Sequence, residues 1–212
     1  MLNIPHPATP LQWWKEAITQ MTSPAELLRD FVNTYDVEED ADELSSPAEL
    51  SLWLRERGLI DAADSAMEGD LMVATRLREG LRHVLIANHD ATPYDVSGDL
   101  ASALRALPMR VTLTGGTPAL EPAVTGAPAG LARLAALIPA AHADGSWSRL
   151  KVCAESTCQW AFIDSSKNRS RSWCSMRVCG NRSKTRTYRA RRRADDPSGH
   201  ADQYGETGKE GS

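Results

Sequence analysis

The strongest constraint on this 212-residue chain is the placement of its four cysteines, Cys153, Cys158, Cys174 and Cys179. They read C-x4-C, then fifteen residues, then C-x4-C. Each pair can sit on one tight turn, and a short ribbon between the pairs can bring the turns together. That is what a tetrahedral site of four thiolates needs. The spacing predicts one structural zinc ion with no open coordination position. Two disulfides, or free thiols, are the competing readings. The opening MLNIPHPATPLQWW has no basic-then-apolar leader, and no run of about 18 apolar residues occurs. The expectation is therefore a cytoplasmic chain with reduced thiols and no membrane association.

Charge is distributed as unevenly as cysteine. Residues 149–193 carry thirteen Lys and Arg against Glu155 and Asp164. Residues 1–148 carry ten basic side chains against twenty-one acidic ones, and 194–212 one against five. The net charge of −4 thus hides a polarised molecule. Four segments follow from this: a lead-in with a short helix over 1–22, a helical domain over 23–148, a zinc module over 149–193, and an acidic tail over 194–212 expected to be disordered. About 150 residues can bury their own core. A module of about 45 cannot without a staple, so it is expected to depend on its metal.

The fold class expected is α+β, mainly helical, with a small β-hairpin, followed by a zinc module of short ribbon plus basic helix. Leu11–Met21 reads as a short amphipathic helix whose Trp13 and Trp14 dock on the core. Ser23-Pro24-Ala25-Glu26 and Ser46-Pro47-Ala48-Glu49 are N-cap signals, each opening a helix. Gly58 ends the second helix. Tyr35–Leu44 reads as a solvated acidic loop. Residues 61–88 keep a helical apolar period that includes Ala63 and Met67. A further helix is expected over 95–107 and another over 128–143, with Pro139 as a kink or break. Alternation on either side of Gly115-Gly116 predicts a hairpin from Met109 to Val124.

Residues 1–148 show no phosphate loop, no H-E-x-x-H and no nucleophile elbow, and their histidines are scattered. A His89–Asp90 pair is read as a surface pair. The expectation is a binding protein and not an enzyme. In the basic module, Trp160, Phe162 and Trp173 are expected to pack around the metal turns, with Val152, Trp160 and Phe162 in a two-stranded ribbon. The loop 165–171 offers Lys167, Arg169 and Arg171 among hydroxyls, which suits phosphate contact. After Arg177 and Cys179, Gly180 is expected at positive φ and Asn181 as an N-cap. The helix that follows carries Arg182, Lys184, Arg186, Arg189, Arg191, Arg192 and Arg193. Arg182, Arg186, Arg189 and Arg193 share one face, a stripe fit for a nucleic-acid backbone or a guanine edge.

The run Cys179-Gly180-Asn181-Arg182, with FIDSSKNRSRSWCSMRVC before it, resembles the CGNR zinc finger. One departure is Ser172 before Trp173, where the resemblance leads one to expect Arg. Phe31-Val-Asn-Thr34, Pro47-Ala-Glu-Leu50 with Trp53-Leu54, and LREGLR at 77–82 resemble the ABATE domain. That domain precedes this finger in the family of putative stress-induced transcription regulators of bacteria. The resemblance implies a DNA-binding transcription regulator. On that reading the finger binds double-stranded DNA, and residues 1–148 are expected to sense a small effector, form a homodimer or recruit another protein, alternatives that the sequence leaves open. Three other readings stay open: an RNA-binding zinc module, a zinc or thiol redox switch with a labile site, and an enzyme whose site lies in residues 1–148.

Overall fold

The computed structural model describes residues 23–89, 98–113 and 118–195. The expected helix at 11–21, Asp90, the Gly115-Gly116 turn and the tail beyond Asp195 lie outside these residues. By contact the chain divides into two units, one ending at Cys174 and one starting at Ser175. The fold is α+β and mainly helical, with small antiparallel ribbons.

Helix α1 (Pro24–Val32) opens on a full capping box. The Ser23 hydroxyl accepts from the Glu26 N–H at 3.2 Å, and the Glu26 carboxylate accepts from the Ser23 N–H at 2.8 Å. Two of the helix's orphan donors are thereby satisfied, and Leu27, Leu28, Phe31 and Val32 turn inward. The acidic stretch that follows is a hairpin, not a plain loop: β1 (Tyr35–Asp36) pairs with β2 (Ala41–Asp42). Acidic residues disfavour strands, so the pairing left no trace in the sequence pattern. Its stabiliser is Asp42, whose two oxygens accept from Arg78 at 2.6 and 2.8 Å.

Helix α2 (Pro47–Glu56) is capped by Ser46, and Gly58 follows at φ 63°. Helix α3 (Glu68–Ala87) begins seven residues later than the apolar period suggests. Residues 61–66 instead brace α2. Arg55 donates to the Asp64 carbonyl at 2.6 Å, and the Ser51 hydroxyl accepts from the Ala66 N–H at 2.7 Å. Met67, counted with the core by periodicity, is 73% exposed. Helix α4 (Gly98–Arg105) crosses α3 at Gly80, where a Cβ would stand 2.6 Å from the Leu100 Cβ.

Strands β3 (Met109–Thr112) and β4 (Ala119–Pro122) form the expected hairpin, registered from Met109 opposite Pro122 to Thr112 opposite Ala119. Helix α5 (Ala127–Ala143) runs through Pro139 without ending there. After a 3-10 turn at Trp147–Arg149 comes the zinc ribbon, β5 (Leu150–Val152) paired with β6 (Ala161–Ile163).

The ribbon is not a free-standing piece. Leu150, Val152 and Ala161 belong to the same buried cluster as Phe31, Leu77 and Leu131. The compact unit therefore reaches past the composition boundary at 148/149, and the ribbon takes its hydrophobic support from the helices. No helix among the described residues is long and apolar enough to cross a membrane.

The second unit holds a wide helical turn at Met176–Gly180 and helix α6 (Asn181–Asp195). The Ser175 hydroxyl accepts from the Val178 N–H at 3.3 Å and opens the turn. Two expectations are corrected here. Gly180 lies within the helical turn and does not take a positive φ, and Asn181 is helical at φ −72°, ψ −39°. The turn runs straight into α6, so no chain reversal needs Gly180 and no break needs a cap. The Asn181 amide instead donates back to the Arg177 carbonyl at 2.9 Å.

Candidate metal centre and nucleic-acid interface

The ribbon sets the first pair of cysteines. The Cys153 N–H donates to the Trp160 carbonyl at 2.9 Å, continuing the β5–β6 ladder by one bond. Between them, the N–H groups of Cys158 and Gln159 both donate to the Glu155 carbonyl, at 2.9 and 3.1 Å, closing a tight turn. Gln159 leaves that turn at φ 49°, a left-handed conformation unusual for a residue with a Cβ. The structure supports it from outside: Arg82 on α3 donates to the Gln159 carbonyl at 2.8 Å. The second cysteine turn is tied to the first by the Ala154 N–H, which donates to the Ser172 carbonyl at 2.9 Å.

The four sulfur atoms lie within 4.8 Å of one another, and those of Cys158 and Cys174 are 3.6 Å apart. A tetrahedral zinc with bonds of about 2.3 Å puts its sulfurs about 3.8 Å apart. A disulfide would need about 2.05 Å, and none of the four is so bonded. Cys153, Cys158 and Cys179 are buried and Cys174 is partly buried. The donor set fits one structural zinc ion. Four thiolates complete its tetrahedron.

One charged pair organises the loop that follows β6. Lys151 and Asp164 are both buried, with side-chain exposures of 2% and 0%, and meet at 2.9 Å. Asp164 also accepts from the N–H groups of Ser166 and Arg171, each at 2.9 Å. Lys151 donates to the Arg169 carbonyl. Burial alone would raise the Asp164 pKa, but the bonds from Ser166, Lys151 and Arg171 hold its carboxyl well below the usual carboxylate range. Lys151, counted with the basic set by composition, is thus an internal strut.

The basic residues singled out by sequence fall into two places. On the loop, Lys167 and Arg169 are exposed, and Arg169 donates to the Ser148 hydroxyl at 2.8 Å. Arg171 is exposed but donates to the carbonyls of Trp173, at 2.8 Å, and Cys174, bracing the metal turn. In the second unit, Arg177 is exposed on the turn, as are Arg182, Lys184, Arg186, Arg189, Arg191 and Arg192 on α6. Arg193 lies on the same helix. Arg182, Arg186 and Arg189 flank a shallow groove with Thr185 and Ala190. Of the ribbon aromatics, Phe162 is buried and Trp160 is 37% exposed.

Sequence reasoning missed the residues that clamp the ribbon to the helices. The Asn33 amide brackets Ala161, and Asn88 donates to the carbonyls of Trp147 and Leu150 at 2.9 and 2.8 Å. His89 bonds the Val152 carbonyl. Only the position of Asn33 inside the Phe31-Val-Asn-Thr34 run hinted at such a role.

Comparison with known families agrees with this layout. Residues 149–192 match the CGNR zinc finger, and residues 25–145 match the ABATE family, described as putative stress-induced transcription regulator. A search of curated proteins found no match. With more than half of its length matched in ABATE, the chain belongs to the ABATE family of putative stress-induced transcription regulators, and it carries a CGNR zinc finger directly after that domain.

Proposed function

We propose that this protein is a DNA-binding transcription regulator that docks α6 on double-stranded DNA. The observation that carries the reading is the surface of α6. Six Lys and Arg side chains from Arg182 to Arg192 are exposed, and no acid precedes Asp195 on that helix. Such a cationic face releases counterions when it meets a polyanion. Lys167 and Arg169 on the loop add phosphate contacts, with Arg171 shared between the metal turn and the ligand. Zinc held by Cys153, Cys158, Cys174 and Cys179 supplies folding energy to the turns and no catalysis, because the thiolates leave it no open position. The role is binding rather than enzymatic. A reducing bacterial cytoplasm, where thiolates persist, is the compartment that suits it. A homodimer on an inverted repeat and a response to stress remain parts of the same proposal.

The test is binding of zinc-loaded full-length protein to duplex DNA across a salt series. Arg186→Ala with Arg189→Ala should lower the salt slope by about 2. An unchanged slope would remove α6 from the interface. Preference for structured RNA over duplex DNA in competition would move the reading to an RNA-binding module.

A further inference from the structure

We infer that the cleft between α1 and the zinc ribbon binds a free amino acid with an aromatic or large apolar side chain. The cleft measures about 520 Å³ and lies wholly in the first unit, with Arg29, Asp30, Glu43, Arg57, Trp160 and Cys174 among its walls. Its volume is within the range of small-molecule sites, about 300–1,000 Å³.

The charged side chains of the cleft differ in how far they are already matched. Arg29 and Asp30 neutralise each other through two contacts at 2.8 and 2.7 Å. Arg57 is different. Its guanidinium carbon lies over the Trp53 ring, 3.9 Å from the centroid, a cation–π contact. Its one hydrogen bond goes to the Trp53 carbonyl at 3.3 Å, and the nearest carboxylate, Glu56, is at 3.6 Å. Among the described residues, most of its five donors have no acceptor. The side chain is 29% exposed, and burial pulls its pKa below the ordinary arginine value, as expected of a cation short of solvent and acceptors. Asp30, Glu56 and Glu43 all act on Arg57 through space, Asp30 most strongly and Glu43 least.

The cleft therefore offers a guanidinium with spare donors and, in Glu43, an exposed carboxylate that pairs with no described side chain, beside an indole, Trp160, that is 37% exposed. A simple anion would be repelled by Glu43, and a simple cation by Arg57. A zwitterion satisfies both: its carboxylate meets the Arg57 fork and its ammonium meets Glu43. Its apolar side chain covers the Trp160 ring. Because Cys174 also lines the cleft, the bound molecule would touch a zinc ligand, giving the helical domain a route to the finger. That regulatory consequence rests on the DNA-binding reading, whereas ligand binding itself does not.

The test is calorimetric titration of zinc-loaded full-length protein, without DNA, with L-phenylalanine, L-tryptophan and L-leucine, and with phenylacetate and phenethylamine as half-ligands. At least one amino acid should bind saturably, and each half-ligand about tenfold more weakly or worse. Arg57→Gln should abolish the binding while zinc content stays at one ion. Glu43→Gln, at an exposed position, should reduce L-phenylalanine to the level of phenylacetate. No saturable binding of any of the three amino acids overturns the inference, as does equal binding of the half-ligands or an unaffected Arg57→Gln protein. Since the titration contains no DNA, failure of the DNA-binding reading would leave its result intact. A shift of DNA affinity on adding the amino acid then tests the coupling separately.

Discussion

Asn33 holds Ala161 by both ends of one amide: its Oδ1 accepts from the Ala161 N–H at 2.7 Å and its Nδ2 donates to the Ala161 carbonyl at 2.9 Å. The two residues are 128 positions apart. On the outer edge of β6 the side chain takes the place of a third strand. This is how a helix of the ABATE domain fixes the ribbon of the finger. Asn33→Ala would orphan a buried donor and acceptor together, at a cost of about 2 kcal/mol. A lowered urea midpoint with an unchanged slope is the expected result, and a midpoint equal to the parent's would show that the amide bridge contributes nothing.

Gly80 is a case in which two effects oppose. Alanine in mid-helix usually gains about 1 kcal/mol over glycine. Here its Cβ would meet the Leu100 Cβ at 2.6 Å and the Leu100 Cα at 3.0 Å, and a backbone atom cannot swing aside. Overpacking of this kind costs about 1–3 kcal/mol. The clash should win, so Gly80→Ala is expected to lower the melting temperature. A rise would mean that α4 shifts freely on α3.

The Arg78–Asp42 pair ties the acidic hairpin to α3 and makes a pH prediction. Burial raises the Asp42 pKa, but the Arg78 bonds and the Leu44 N–H outweigh it, so the folded value lies below the ordinary one. Its contribution is full above the unfolded carboxylate pKa of about 4 and is lost as pH falls through the depressed folded value. Asp42→Asn should therefore weaken the protein at neutral pH and flatten the acid limb of its stability curve. Arg78→Met should cost about 3–5 kcal/mol, because partners of a buried cation are left behind. Lysine should not restore the loss, having no fork for two oxygens. A flat response to both changes would rule out this link.

Cys174→Ser removes one of four zinc ligands and should abolish stoichiometric zinc. The ribbon strands share the helical core through Leu150, Val152 and Ala161. Hydrogen exchange should therefore stay slow at Val152 while it quickens around Cys158 and Cys179. Uniform loss of protection across 149–180 would show that the ribbon depends on the metal alone.

What was legible in the sequence was local. The Ser23–Glu26 box, the Ser46 cap and the hairpin strands at 109–122 are fixed by residues a few positions apart, and the two C-x4-C turns declare their ion by spacing. What was not legible depends on distant partners. Nothing near Asn33 announces Ala161, and nothing near Arg82 announces the Gln159 carbonyl 77 positions away. Lys151 reads as one more basic residue until Asp164 is seen facing it. Residues 61–66 carry an apolar period, but the Ser51 hydroxyl and Arg55 draw their backbone out of the helix. The zinc site was therefore readable from one segment, while its attachment to the ABATE domain needed the fold.

The most direct test of the account is selection of bound fragments from sheared genomic DNA by zinc-loaded full-length protein at near-physiological salt. Enrichment of a few short sites, lost in the Arg186→Ala, Arg189→Ala protein, is the predicted result. Uniform weak recovery from all sequences, unchanged by the double substitution, would contradict it.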